Sequence, residues 1–170
     1  GISADEKKRD GQIWLNDCIE MFIGPRDETY YQLIINAANT QCDLKVSYKI
    51  GEDGFVVGGF GVFKNDFSWN CAGLRSATSL GKDHWLLELA IPFSSLGGAP
   101  KPGGKWRFNI AREEKQLKEL STFSPLFGDF HQPEAYSWFT FQKDSAQLAR
   151  APKKFKARDM TPGLAEANAA

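Results

Sequence analysis

Trp14 and Glu20 fall six residues apart in Ile13-Trp14-Leu15-Asn16-Asp17-Cys18-Ile19-Glu20-Met21-Phe22-Ile23. Read with a strand's period of two, the stretch has two faces. Ile13, Leu15, Ile19, Met21 and Ile23 form a core face, interrupted by Asp17. Trp14, Asn16, Cys18, Glu20 and Phe22 point the other way. A flat aromatic beside an amide and a carboxylate suits a polar ring with apolar faces, the description of a sugar. Axial C–H groups lie on the indole, and hydroxyls need strong acceptors, of which a carboxylate is the strongest. The same residues also fit a plainer reading, with Trp14 packed under a loop and Glu20 in a surface ion pair.

Further groups add to that chemistry. Gln32 and Asn36 alternate with Tyr30 and Ile34 on one face of the next segment, and amides both donate to and accept from hydroxyls. Phe130-His131-Gln132-Pro133-Glu134 precedes the last strand-like segment. Phe130 would supply a second aromatic wall and His131 a hydroxyl partner; the plainer readings are a solvated sheet face for Gln32 and Asn36 and a structural histidine for His131. Arg107 and Asn109 share a face, with Glu88 as a cross-strand partner for Arg107. No nucleophile elbow, phosphate loop or His-Glu-x-x-His motif appears, and the two histidines are His84 and His131. Nothing in the sequence places two carboxylates across a cleft, as glycoside hydrolysis would need.

The elements that must position these groups read as short strands. Tyr30 to Ala37 alternates, with Tyr31, Leu33 and Ile35 on the second face. Cys42–Tyr48, Phe55–Phe63, Trp69–Ser79, His84–Ile91, Lys105–Glu113 and Tyr136–Gln142 follow, separated by Gly- and Pro-rich turns. Pro92–Gly97 suits a short helical turn ending at glycine. Glu113–Glu119 reads as a short helix or a solvated loop. The fold expected is all-β, an antiparallel β-sandwich of jelly-roll type, over residues 1–148. Residues 149–170, with Pro152, Pro162 and an alanine-rich end, read as a linker or tail, after a brief helix at Lys143–Leu148.

Twenty-one basic and 21 acidic residues cancel, so no basic surface for nucleic acid or an anionic membrane is indicated. No apolar run reaches membrane-span length. Cys18 reads as a packing residue. Cys42 and Cys71 would pair only if their strands were adjacent, which sequence leaves open.

Five segments, in order, resemble carbohydrate-binding module family 9. They are Trp14 to Phe22, Tyr30 to Asn36, His84-Trp85-Leu86-Leu87-Glu88-Leu89-Ala90-Ile91-Pro92-Phe93, Gly103 to Arg112, and His131-Gln132-Pro133-Glu134 with Phe139-Thr140-Phe141. The resemblance spans about Gly11 to Phe141. It implies a non-catalytic module, accessory to polysaccharide degradation and bacterial, secreted or otherwise extracytoplasmic. The ligand implied is a mono-, oligo- or polysaccharide, held by Trp14, Glu20, Gln32, Asn36, Phe130 and His131. No cofactor is required, although a structural calcium is compatible. Partners implied are a tethered catalytic domain, or a segment supplying strands that precede the Trp14 segment in the family and are absent here. Three departures from the family stand out: Phe130 where binders carry Trp, Ile34 where some carry a basic residue, and Asn16 for the first Asp of a pair. Two other readings stay open: an interaction sandwich whose pocket is lost, and a haem-binding electron-transfer domain of the related superfamily. The latter would draw axial ligands from Met21, Met160, His84, His131 or lysines.

Overall fold

The computed structural model describes residues 1–58 and 62–142. The linker or tail expected over 149–170 and the helix expected over 143–148 lie outside them. The strands are β1 (Cys18–Arg26), β2 (Thr29–Asn36), β3 (Gln41–Ser47), β4 (Lys64–Asp66), β5 (Arg75–Leu80), β6 (Trp85–Ala90), β7 (Lys105–Glu114), β8 (Glu119–Thr122) and β9 (Ser137–Thr140). A seven-stranded sheet runs β4-β3-β2-β1-β7-β8, with β9 also paired to β7. β5 and β6 form a separate two-stranded antiparallel sheet. All the strand pairs are antiparallel, and the two sheets make the expected β-sandwich.

The large sheet is covered on both faces. On one, Phe22, Tyr30, Ile34, Leu44, Val46 and Tyr136 form an aromatic-rich core. On the other, Leu33 and Ile35 pack against Leu87 and Leu89 of the small sheet and Ile91 just after it, and Ile23, Trp106 and Phe108 continue that layer. Burial on both faces makes β2 an almost unbroken apolar run. Gln32 and Asn36 within it are therefore buried polar groups, not members of a solvated face.

The first strand is shorter than its alternation implies. Ile13–Leu15 is a 3₁₀ turn, and β1 starts at Cys18. Asn16 and Asp17 interrupt the strand because their side chains bind other backbone groups. The Asn16 Oδ1 accepts from the Glu6 N–H at 3.0 Å and from Asn36 Nδ2 at 3.0 Å. Asp17 Oδ1 accepts from the Lys115 N–H at 2.9 Å, and Oδ2 accepts from the Ser3 N–H. Leu15, assigned to the core face by parity, is consequently 57% exposed. Cys18 and Phe22, assigned to the open face, are wholly buried.

Other boundaries shift for similar reasons. The chain reverses at Asp27–Glu28, with Arg26 opposite Thr29, so β1 runs on through Gly24 and Pro25 by way of an irregularity between Ile23 and Arg26. Among the described residues of the segment expected as a strand at 55–63, one bridge joins Val56 to Ile50. Trp69 lies before β5 and packs on Tyr31 with ring centroids 4.6 Å apart. Phe93–Leu96 forms the expected helical turn, capped by Gly97 at φ 89°, a left-handed conformation natural to glycine. Cys18, Cys42 and Cys71 are free thiols. Cys42 belongs to the aromatic-rich core and Cys71 to the layer behind the sheet, so the sheet separates them.

Asn36 makes four hydrogen bonds, donating to the Glu6 carbonyl and to Asn16 and accepting from the Ala38 and Thr40 N–H groups. Asn36→Ala is expected to cost about 2–4 kcal/mol, because buried partners lose their bonds together. Urea unfolding measures this. A shift under about 0.5 kcal/mol would show that the network does not hold the turn.

Candidate functional site

Strand register builds the site on one face of the large sheet. Glu20 of β1 stands opposite Ile34 of β2 and Ala111 of β7. Its diagonal neighbours on that face are Gln32, which faces Phe22, and Glu113, which faces Cys18. Diagonal residues lie about 7–8 Å apart along a sheet, within reach of long side chains. Gln32 Nε2 accordingly donates to Glu20 Oε2 at 2.7 Å. Glu113 reaches Glu20 from the opposite side and is itself paired with Lys115 Nζ.

These residues floor a hollow of about 390 Å³. Trp14, half-buried on its 3₁₀ turn, stands on the border, with Phe67 after β4 and Leu120 of β8. The loop at Gly128–His131 closes another side. Its volume falls in the usual range of small-molecule sites, about 300–1,000 Å³.

Arg107 helps to fix the 3₁₀ turn at Pro133–Ala135 that follows this loop. Its Nη1 donates to the Pro133 and Glu134 carbonyls at 2.9 and 3.3 Å, and its guanidinium lies 4.5 Å from the Trp138 ring centroid. The partnership expected with Glu88 does not form, because Glu88 is opposite Ala77 in the other sheet. Phe130 packs edge-on to Phe22, centroids 6.4 Å apart. His131 Nδ1 shares a hydrogen bond with Tyr30 Oη, and the His131 backbone N–H donates to Asp129 Oδ1 at 2.7 Å.

Five of the six residues singled out by sequence therefore meet at one hollow: Trp14, Glu20, Gln32, Phe130 and His131. Asn36 does not line it. Its amide is committed to the network beneath the 3₁₀ turn. Asn65, Phe67, Glu113, Leu120 and Asp129 were missed. Glu113 had a signal, since it shares strand parity with Asn109 and opposes the inward Trp106, Phe108 and Ile110. Phe67 and Leu120 had none, because long connections decide where they arrive.

Electrostatically the floor is unusual. Glu20 is only 3% exposed. Burial chiefly pushes its pKa up, to about 8, against the lowering effect of the Gln32 hydrogen bond and with a further rise from Glu113. His131 is shifted down by burial, opposed by Asp129. Burial pushes the Cys18 thiol far up, so it is an inert packing group. Glu20 and Glu113 are adjacent on one floor, whereas a hydrolytic pair must flank the scissile bond.

A second hollow of about 570 Å³ opens between the sheets, lined by Met21, Leu87, Leu89 and Ile110 with His84 and Arg112. The residue types named for haem ligation are thus divided, His131 at the first hollow and Met21 and His84 at the second. Among the described residues, no three of His, Cys, Asp or Glu form a metal-holding group. Among the same residues, no helix is long and apolar enough to cross a membrane.

No protein-family model matches the chain, and no curated protein matches it. Among solved structures, it is similar to one from Bacteroides uniformis described as a "putative carbohydrate-binding protein". The TM-score is 0.60 at 18% identity, over 83% of this chain and 68% of that one. At that identity the likeness establishes a shared fold.

The Glu20 carboxyl gives stability a pH signature. Its native pKa is above its ordinary value of 4.5, so the native state holds the proton more tightly than the unfolded chain. The associated stability is full below about pH 4.5 and is lost as pH rises through about 8. Glu20→Gln removes this dependence. Urea midpoints of the wild type should fall relative to Glu20→Gln between pH 5 and about 9. Parallel profiles would contradict the burial of an unpaired acid.

Proposed function

We propose that this chain is a non-catalytic carbohydrate-binding module of family 9 type, accessory to polysaccharide degradation and working outside the cytoplasm of a bacterium. The observation that carries this reading is the hollow itself, with an indole on its border and the buried Glu20–Gln32 pair on its floor. A sugar ring stacks on Trp14, with Phe130 as the second apolar surface. Glu20, Gln32 and His131 meet its hydroxyls, the amide donating and accepting, and the protonated acid donating as well as accepting. The shared fold with the Bacteroides protein, described as carbohydrate-binding, supports the same reading. So does the adjacent placement of the carboxyls, which suits recognition better than hydrolysis.

Affinity electrophoresis in gels containing soluble glucans, xylans, mannans and galactans tests it. The wild type should be retarded by at least one polysaccharide. Trp14→Ala should lose that retardation, corresponding to about tenfold or more in affinity, about 1.4 kcal/mol. Equal mobility of the two proteins in every gel would overturn the reading.

A further inference from the structure

The hollow is charged on one side only. Glu20, Glu113 and Asp129 line it, and among its described lining residues there is no Lys or Arg. The basic group beside it, Lys115, is taken by Glu113 Oε2. Glu20 has an amide as its direct partner and no ion pair. Ionising Glu20 would leave a buried carboxylate without a counter-charge, which is costly and keeps the acid protonated; a cation delivered by a ligand would relieve that cost. The aromatic borders act in the same sense, because the faces of Trp14, Phe67 and Phe130 present negative charge density that attracts cations.

Resting on the sugar-binding reading above, we propose that the hollow selects sugars by charge, taking 2-amino-2-deoxy sugars ahead of neutral ones and excluding hexuronates, with Glu113 and Asp129 as specificity-determining residues. An ammonium on the ring meets Glu113 and Asp129 as counter-charges while the ring stacks on the indole. A ring carboxylate meets like charges in a partly dehydrated space, where repulsion is weakly screened. A neutral sugar keeps its hydroxyl contacts and gains or loses nothing from the field.

Matched sugars separate charge from shape. Isothermal titration calorimetry at pH 6 compares glucosamine, glucose and glucuronate, and likewise the galacto and manno series, on the wild type, Glu113→Gln and Asp129→Asn. The expected order is amine, then neutral sugar, then acid, spanning about tenfold or more within at least one series. Either variant should compress that span. Acid binding as tight as amine binding in the wild type would overturn charge selection and leave sugar binding intact. An undiminished span in both variants would overturn the role given to the acids. Absence of binding across all three series, together with unretarded migration in every polysaccharide gel, would overturn the sugar reading and this inference with it.

Discussion

The site depends on a small polar knot that has no contact with the hollow. Asn16, Asp17 and Asn36 hold the 3₁₀ turn on which Trp14 sits. Asn16 accepts from Glu6 and Asn36, while Asp17 reaches both Ser3 and the backbone at Lys115. The Ala37 N–H closes the knot on the Asp17 carbonyl at 3.2 Å. The same aspartate thus ties the turn carrying the indole to the end of the strand carrying Glu113. Each of these side chains is nearly or fully buried, so their hydrogen bonds are stringent: a missing partner would leave a desolvated dipole. Rigid placement of an aromatic over a polar floor limits what must be ordered when a ligand arrives.

The floor works against the rest of the fold. A glutamate in a central strand, with core on both faces of the sheet, destabilises the native state whenever it ionises. The chain offsets this with a precisely directed amide from Gln32 and keeps the acid close to neutrality at physiological pH. Such a group lowers stability, and local violations of packing rules tend to mark functional sites. Around it, Phe22, Tyr30, Tyr136 and His131 form a rigid aromatic support.

Much of the fold was legible from strand periodicity. The faces of β2, β6 and β7 read correctly, because those segments run uninterrupted and keep the period of two. The same period applied before Cys18 misled, since Asn16 and Asp17 turn their side chains to neighbouring backbone and end the strand. Trp14 and Glu20 nevertheless share a hollow. A 3₁₀ turn pinned over the sheet restores what broken parity removed. Asn36 looked like Gln32 by position and type, yet its side-chain Oδ1 accepts from the Ala38 and Thr40 N–H groups within its own turn. Arg107 was read by sheet-face pairing alone, and the turn it holds comes from 26 residues further on. Contacts of that kind follow from tertiary topology and leave no local pattern.

The central claim is that Trp14, of five tryptophans, is the one that meets a ligand. Labelling the indole nitrogens and recording proton–nitrogen NMR spectra during titration with a retarding polysaccharide's oligosaccharides isolates each ring in turn. The account predicts that the Trp14 indole signal moves with saturating dependence on sugar, while those of Trp85 and Trp138 stay in place. A stationary Trp14 signal alongside movement of another indole would contradict it.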